Sequence, residues 1–518
     1  MADNFFFTGI SPASDRRIQR QASAGKLRKL YAGIYTDNLS DAPSDVARRN
    51  AFKIAAHMCG PSSVMSGRSA LEGGLTITED EFGVQTGWLF LMDPNVKVRR
   101  DFNMPGLNLR TVPGPGPQPG DFPMLGLFMP SRARMLIENL AQSRSREGGG
   151  PTRTVGAEEV EKKLGRICIQ EGEEELNRVR DEARGLASTL GLTREFQRLD
   201  AIIGALLGTR KSKLTTQSAQ AIARGEPYDS DCVTRLLALR GHLEDVALPE
   251  RPDGSTSHGS RVAACFIEAY FSNYIEGTRF PVRQAGRIVF ENERPQNRPK
   301  DSHDVLATYN QLVNLGGRLP SSLSAREMIE EIRSRHADLM AARPEALPGE
   351  WKTDVNIAGN TTFVSPPYVP GTIVAGVDIL SGLGHPFARA VFIQFMLSDI
   401  HPFADGNGRI SRIMMTKELV GSGLSRIVIP TVYRDNYLGG LRTLTRFGNP
   451  AALVRAMDFC QKVTAACAAS SVGKAVDVWA STFAFVEAGA IARLEMPDPA
   501  RVITWNDEVP APDEYWQA

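Results

Sequence analysis

The residues best suited to chemistry in this 518-residue chain lie in one short stretch, residues 401–412, which reads HPFADGNGRISR. Three residues that tolerate unusual backbone angles stand in its middle, namely Gly406, Asn407 and Gly408. Directly before a helix, such residues can turn successive N–H groups to one side and form an anion nest. Arg409 and Arg412 are three residues apart, so both guanidinium groups can face the same anion, and their forked donors suit phosphate.

Two further side chains of this stretch add a metal ligand and a base. Asp405 is a lone hard carboxylate beside the nest, and Mg²⁺ commonly binds one carboxylate together with phosphate oxygens and water. His401 can accept a proton near pH 7. Singly, each feature has an ordinary structural interpretation: a turn, a packed histidine, or arginines paired with surface acids. Together they favour a site that transfers a group from a nucleoside triphosphate to a hydroxyl.

The flanking sequence predicts helices on both sides of this stretch. Residues 390–400 (AVFIQFMLSDI) are apolar and long enough for a helix, and Pro402 must end it. The residue before a proline is pushed towards extended geometry, so we expect His401 to lie where the helix has stopped. Apolar spacing over residues 413–420 predicts that a helix restarts there.

The string His-Pro-Phe-x-Asp-Gly-Asn-Gly-Arg-x-x-Arg resembles the signature of the Fic family, within the Fic/Doc superfamily, at every fixed position. The resemblance implies that His401 deprotonates a Ser, Thr or Tyr hydroxyl of a target protein, which attacks the α-phosphate of ATP. AMP is thereby attached and pyrophosphate leaves. Asp405 would hold Mg²⁺, the nest and Arg409 would bind the α- and β-phosphates, and Arg412 the γ-phosphate. Family members that phosphorylate carry Lys where this chain has Gly408. The sequence does not decide whether the donor is ATP or another nucleotide.

The resemblance covers roughly residues 258–470 and implies an all-α core with a small β-hairpin flap. Residues 329–350, which include His336, resemble the segment before the flap. The flap itself would contain Thr361, Thr362 and Phe363 and position the target segment by strand addition. Tyr437 lies in a segment similar to the one that helps to hold adenine.

A second motif suggests regulation. Residues 261–275 read as a helix, and Ser272 and Glu276 lie four residues apart on one face. The pattern Ser-x-x-x-Glu-Gly resembles the family's inhibitory motif, in which the Glu would pair with Arg412 and keep ATP in a non-productive pose. An ordinary helix end with a glycine cap is the alternative. The resemblance also allows the reverse reaction, removal of AMP from a modified protein by means of Glu276.

The N-terminal segment is locally basic. Ser14 is a candidate N-cap for a helix over residues 15–24, and residues 27–36 alternate like two short strands. Six basic residues lie here, namely Arg16, Arg17, Arg20, Lys26, Arg28 and Lys29. This pattern resembles the winged-helix domain of abortive-infection type IV antitoxins, which implies a DNA-binding regulator of toxin–antitoxin type. The alternative is a solvated helix face.

Three breaker-rich connectors divide the chain: residues 113–120, 143–156 and 248–260. We therefore predict a mainly α protein with four parts. They are an N-terminal α/β winged-helix-like region (1–145), a helical bundle region (157–247), the Fic domain with its inhibitory helix (258–470 and 261–277) and a C-terminal extension (471–518).

Composition excludes several classes of protein. The formal net charge is +1 and 42% of residues are hydrophobic, which argues against a wholly basic nucleic-acid coat and against a disordered chain. The six cysteines form no C-x-x-C pair, so we expect buried, reduced thiols. The seven histidines do not show the spacing of a metal-binding motif. We see no signal peptide or membrane span and expect a cytoplasmic enzyme. Its expected partners are a protein target, DNA and a second copy of the chain as a homodimer.

Overall fold

The computed structural model describes the chain in six stretches, which are residues 3–80, 83–143, 150–210, 212–315, 324–487 and 492–501. The chain divides into two compact units, Met1–Gly225 and Glu226–Ala518. This boundary falls inside the predicted helical region 157–247 and not at either of its ends. Most of the predicted C-terminal extension 471–518 beyond its first helix lies outside the described residues.

The first unit opens with a three-stranded sheet. Its elements are β1 (Phe5–Phe7), α1 (Pro12–Ser23), β2 (Arg28–Tyr31) and β3 (Ile34–Thr36), and the strand order is β1-β3-β2 with both pairings antiparallel. The two predicted strands are confirmed. The predicted N-cap is wrong: the Ser11 hydroxyl accepts the Ser14 N–H at 3.3 Å, and Pro12 starts the helix because its missing N–H costs nothing there.

A seven-stranded mixed sheet follows, which the sequence analysis did not predict. Its strands run in the order β7-β8-β6-β4-β10-β9, with β5 paired to β6, and the pairs β6/β8 and β4/β10 are parallel. The N-terminal region is thus larger than a winged helix. The elements are α2 (Pro43–Arg49), α3 (Ala51–Cys59), β4 (Val64–Met65), α4 (Gly67–Glu72), β5 (Thr76–Glu79), β6 (Gln85–Asp93), β7 (Arg100–Met104), β8 (Leu107–Pro113), β9 (Phe122–Met124), β10 (Leu127–Met129) and α5 (Arg132–Asn139).

Three helices complete the first unit: α6 (Ala157–Ala187), α7 (Thr193–Leu206) and α8 (Gln217–Ala223). Helix α6 is kinked at Gly172, whose φ of 88° is not helical. Together with α5 these helices surround one apolar core, in which Leu164 and Ile203 are fully buried. The predicted packing of the helical middle region is confirmed for these three helices.

The second unit is helical apart from one hairpin in its described residues, as predicted. The structure has α9 (Ser230–Asp245), α10 (His258–Tyr274), α11 (Val282–Phe290), α12 (Pro299–Val313), α13 (Ala325–Leu339), β11 (Ile357–Ala358), β12 (Thr361–Thr362), α14 (Val369–Leu380), α15 (Pro386–Ile400), α16 (Asn407–Gly421), α17 (Arg434–Phe447), α18 (Ala451–Ala466) and α19 (Val472–Ala480). Short 3₁₀ helices cover Pro344–Ala346, Pro366–Tyr368 and Thr431–Tyr433. Among the helices described here, none combines the length and apolar character needed to cross a membrane.

Helix α15 is the buried centre of this unit. Phe392, Phe395 and Met396 have no exposed surface, and the helix packs against α16 and α9. It ends at Ile400, and His401 takes left-handed angles (φ 53°, ψ 60°) instead of the predicted extended geometry. The helix C-cap outweighs the preference imposed by the following proline, since the His401 N–H still donates to the Leu397 carbonyl at 3.1 Å.

Candidate active site

The loop between α15 and α16 is held from within by Asn407. Its amide oxygen accepts the Phe403 N–H at 2.9 Å, and its amide nitrogen donates to the Phe403 carbonyl at 2.8 Å. Gly406 is left-handed (φ 77°) and caps α16. The buried Asn407 side chain therefore shapes the loop and does not itself face a ligand, whereas the N–H groups of the first α16 turn lack intrahelical acceptors.

His336 on α13 holds the same loop from outside. Its Nδ1 accepts the Gly349 N–H at 3.0 Å, so Nε2 carries the proton and donates to the Asp405 carbonyl at 3.0 Å. Its ring stacks on Phe403 with centroids 3.6 Å apart. Burial lowers the pKa of His336 to about 4, which keeps this neutral tautomer at physiological pH. His336 was predicted to lie before the flap, but its contact with Asp405 was not predicted.

The ring of His401 is oriented as a base. Its Nδ1 lies 3.2 Å from the Ser398 carbonyl, which can only accept, so Nδ1 carries the proton and Nε2 keeps a lone pair. The Phe363 ring stacks on it at 3.9 Å. Burial lowers the pKa of His401 to about 4; the bond to Ser398 raises the pKa, and the positive charge of Lys352 lowers it. His401 is therefore neutral at pH 7.

A cavity of about 340 Å³ opens beside His401. It brings together predicted residues from four separate segments, namely Glu276, Thr361, Phe363, His401, Gly408, Arg412 and Tyr437. Tyr437 is buried, and its hydroxyl accepts a hydrogen bond from the Gln394 amide at 2.6 Å. The wall also contains Arg434 and Arg442 of α17, which sequence reasoning missed although they lie close to Tyr437 in the chain.

Arg412 is anchored to the end of α10. Its Nε donates to the Ser272 hydroxyl at 2.9 Å and its Nη2 to the Ser272 carbonyl at 2.8 Å. The same Nη2 lies 2.8 Å from Glu276 Oε1. Glu276 also covers Gly408, where an added Cβ would lie 2.0 Å from that carboxylate oxygen. The Glu276 carboxylate thus lies directly over the N-terminus of α16, beside the cavity.

Arg409 does not line the cavity. Its Nη1 lies 2.9 Å from Asp304 Oδ2 on α12, and both side chains are at most 5% exposed. Asp304 is also bound by Arg343, whose Nε and Nη2 donate to Oδ2 at 3.0 and 2.8 Å. The structure therefore does not bring Arg409 to the cavity that Arg412 lines, because a buried carboxylate about 100 residues earlier in the chain holds it.

Asp405 has an accessible carboxylate, with 61% of its side chain exposed. One oxygen accepts the Gly406 N–H at 2.6 Å, and the other lies 3.9 Å from Arg409 Nη2. Within the described residues, no three His, Cys, Asp or Glu side chains are placed to hold a metal ion. A lone accessible carboxylate fits Mg²⁺ only where phosphate oxygens and water supply the remaining ligands.

The region that contains the loop at residues 401–412 is similar to known proteins. Residues 326–419 match the model of the Fic/DOC family. This chain contains a Fic domain. The protein adenylyltransferase fic-1 of Caenorhabditis elegans is 26% identical over 196 residues, which cover 35% of this chain and 38% of that protein. The protein adenylyltransferase Fic of Drosophila willistoni is 36% identical over 206 residues, which cover 39% and 41% of the two chains.

A solved structure of Fic-1 from Caenorhabditis elegans (its residues 134–508) is 20% identical to this chain, with a TM-score of 0.35. The comparison covers 64% of this chain and 95% of that one. The matched regions span about two-fifths of the full length of the curated relatives.

The hairpin of the Fic domain lies over His401. Ile357 pairs with Thr362 and Ala358 with Thr361, in the antiparallel arrangement expected for the flap. The Thr361 hydroxyl accepts from Arg446 Nη2 at 3.1 Å, which ties the hairpin to α17. Ile357 is 68% exposed and Thr362 is also exposed, so the outer edge of the hairpin is accessible.

The basic N-terminal residues form no comparable site. Arg16, Arg17 and Arg20 on α1, Lys26 in the turn that follows and Lys29 on β2 are all exposed. Arg28 is different, since its guanidinium donates to the carbonyls of Asp41 (2.6 Å) and Leu39 and so holds the chain after β3. Five of the six predicted DNA-contacting side chains are accessible, and the sixth has a structural partner.

Proposed function

We propose that this protein is an adenylyltransferase that transfers AMP from ATP to a Ser, Thr or Tyr hydroxyl of a target protein. The observation that carries the proposal is the neutral His401, with Nε2 unprotonated, beside a cavity formed by the N-terminus of α16 and Arg412. The Fic domain and relatives named protein adenylyltransferase support it.

In this mechanism His401 Nε2 accepts the hydroxyl proton while the target oxygen attacks the α-phosphorus of ATP. The bond between the α-phosphorus and the bridging oxygen breaks, and pyrophosphate leaves. As the ring becomes positively charged, the Ser398 carbonyl continues to accept the Nδ1 proton and stabilises the imidazolium. The α16 N-terminus and Arg412 stabilise the negative charge on the phosphates. Mg²⁺ held by Asp405 would neutralise part of this charge when it binds with the nucleotide.

We further propose that Glu276 restrains this activity. Its carboxylate neutralises Arg412 at 2.8 Å and lies over Gly408, where polyphosphate would approach the helix N-terminus. A triphosphate would meet a negative charge in place of a free guanidinium. Loss of the carboxylate should therefore free Arg412 for the γ-phosphate and raise the rate of transfer.

The test is transfer of label from α-labelled ATP to a lysate, measured for the wild-type protein and for Glu276→Gly. We expect Glu276→Gly to raise transfer at least about tenfold, the effect of about 1.4 kcal/mol. Glu250→Gly is a matched control, because that side chain is exposed and lies outside the site. Transfer at background level with Glu276→Gly would exclude the restraint. A panel of labelled UTP, GTP and CDP-linked donors tests the nucleotide.

Removal of AMP from a modified target is a second candidate activity of the same site. The observation that favours it is that Glu276 and His401 line one cavity, so the carboxylate could orient a water molecule. The test is AMP release from a purified modified target. Release by the wild type that is lost in Glu276→Gly would favour removal, and no release would exclude it.

DNA binding by the first unit is a separate proposal. It is supported by the five exposed cations on α1, the turn that follows it and β2. Gel retardation of the promoter DNA of its own gene should decrease steeply with salt, because phosphate contacts release counterions. Absence of retardation at low salt would exclude it.

A further inference from the structure

Lys352 is a buried lysine that the mechanism above leaves unused. It lies between α13 and the hairpin, and it is 3% exposed. Its backbone N–H donates to the Pro402 carbonyl at 2.9 Å. Its Nζ donates to the Ile400 carbonyl at 3.3 Å. Lys352 therefore binds the carbonyl groups immediately before and immediately after His401.

These two carbonyls help to set the backbone angles of His401, which are left-handed (φ 53°). A histidine in this region is strained and persists only where surrounding contacts hold it. The Ile400 carbonyl belongs to the last residue of α15, where the helix dipole places negative partial charge. An ammonium group at this point satisfies that carbonyl and complements the dipole.

Burying the charged ammonium group of Lys352 costs free energy that an apolar side chain would not cost. Burial lowers the pKa of Lys352 to about 8, which reflects the cost of removing its charge from water. An apolar side chain of similar length, such as methionine, would pack in the same volume without that cost. The position thus carries a charge and a donor that packing alone does not need.

We propose that Lys352 is a positioning residue, whose ammonium group fixes the His401 ring for proton transfer by binding the Ile400 carbonyl, while its backbone N–H holds the Pro402 carbonyl in every variant. The proposal rests on the proposed function, in which His401 is the base. Lys352 touches no reacting atom and acts through the backbone.

The charges around His401 give Lys352 a second effect. Besides burial and the Ser398 bond, three charged groups act on the ring: Lys352 lowers the pKa of His401, while Glu276 and Asp405 raise it. Lys352 thereby offsets two carboxylates and helps to keep the base unprotonated. Its removal should raise the pKa of His401.

The experiment uses the full-length Glu276→Gly protein as parent and adds Lys352→Met, Lys352→Arg or the control Lys462→Met, since Lys462 is exposed on α18. We expect Lys352→Met to lower kcat about 10²-fold with little change in KM for ATP, as for a misplaced catalytic group. Lys352→Arg should recover most of this loss. The thermal midpoint of Lys352→Met should change little, because removal of a buried charge offsets the loss of the bond to the Ile400 carbonyl.

A second readout does not depend on turnover. Titration of ¹⁵N-labelled histidines by NMR, with His401 assigned from a His401→Asn variant, should show a higher His401 pKa in Lys352→Met than in the parent. An unchanged His401 titration, or a kcat equal to that of Lys462→Met, would overturn the proposal. If the parent transfers no label, the proposed function fails, and the NMR titration alone still decides whether Lys352 acts on His401.

Discussion

The loop at residues 401–412 and the basic segment at residues 14–30 are both short, charged and conspicuous in the sequence, but the structure treats them differently. In the loop, Arg412 is buried and bound by Ser272 and Glu276, and His401 has one ring orientation. In the basic segment, most cations are exposed. The spacing of residues in a motif predicts a site well where backbone contacts fix the position of each side chain. A count of basic residues predicts only that the surface is charged and accessible.

Loss of the base, His401, should have the largest effect, and it tests the role of the loop at residues 401–412. We expect His401→Ala in the Glu276→Gly background to lower label transfer about 10³-fold, because no other group takes the hydroxyl proton. The measurement is the initial rate with labelled ATP. His242→Ala, a histidine on α9 outside the cavity, should keep the parent rate. Equal rates for the two variants would remove His401 from the mechanism.

Loss of the buried ion pair between Asp304 and Arg409 should have the next largest effect, which is on the free energy of unfolding. Asp304→Asn removes the buried carboxylate that Arg409 and Arg343 share, and it leaves Arg343 paired with Asp301 alone. We expect it to lower the free energy of unfolding by about 3 kcal/mol, as measured by urea denaturation. Asp338→Asn on α13, where the residue is exposed, should change it by less than about 0.5 kcal/mol. Equal stabilities would mean that Asp304 does not hold Arg409.

Substitutions in the basic segment at residues 14–30 should have a smaller effect, which is on the salt dependence of DNA binding. Replacing Arg17 and Arg20 by Ala removes two exposed cations from α1, so the slope of log affinity against log salt should become shallower by about 2. The same change at Arg178 and Arg184 is the control, because acidic neighbours on α6 already pair with both. Identical slopes for both double variants would show that α1 contacts no phosphate.

The smallest expected effect concerns pH. Because burial lowers the pKa of His401 to about 4, the base is neutral throughout the physiological range. We expect kcat/KM of Glu276→Gly to vary by less than about twofold between pH 6 and pH 8, with its acid limb well below the usual 6.5 of histidine. An acid limb near 6.5 would show that His401 is more hydrated than the structure indicates.

The same lowered pKa values act on stability. His336 and His401 both have folded pKa values near 4, below the unfolded value of 6.5. The stability that they contribute as neutral rings is complete above pH 6.5 and is lost as pH falls from 6.5 towards 4.

Much of the site could be predicted from local sequence. The helices on both sides of the loop, the hairpin and the pairing of Glu276 with Arg412 were all expected from spacing or from the family resemblance. These features depend on backbone preferences within one segment or on a motif that specifies both partners.

The rest depends on contacts between distant segments. The pairing of Arg409 with Asp304 and the contact of His336 with the Asp405 carbonyl join residues 105 and 69 positions apart, and no local pattern signals either. The seven-stranded sheet was missed for a related reason, because three of its six pairings (β6/β8, β4/β6 and β4/β10) join strands that are not neighbours in the chain. The left-handed His401 reflects a helix cap that overrides the proline rule.

We infer that the loop at residues 401–412 binds the polyphosphate of a magnesium nucleotide beside His401. The most direct test is a crystal structure of the Glu276→Gly protein with Mg²⁺ and a non-hydrolysable ATP analogue. We predict that the phosphates lie on the N-terminus of α16 with the γ-phosphate on Arg412, and that His401 Nε2 faces the space beside the α-phosphate. A nucleotide bound elsewhere, or a His401 ring turned away from the phosphates, would show that this loop is not the nucleotide site.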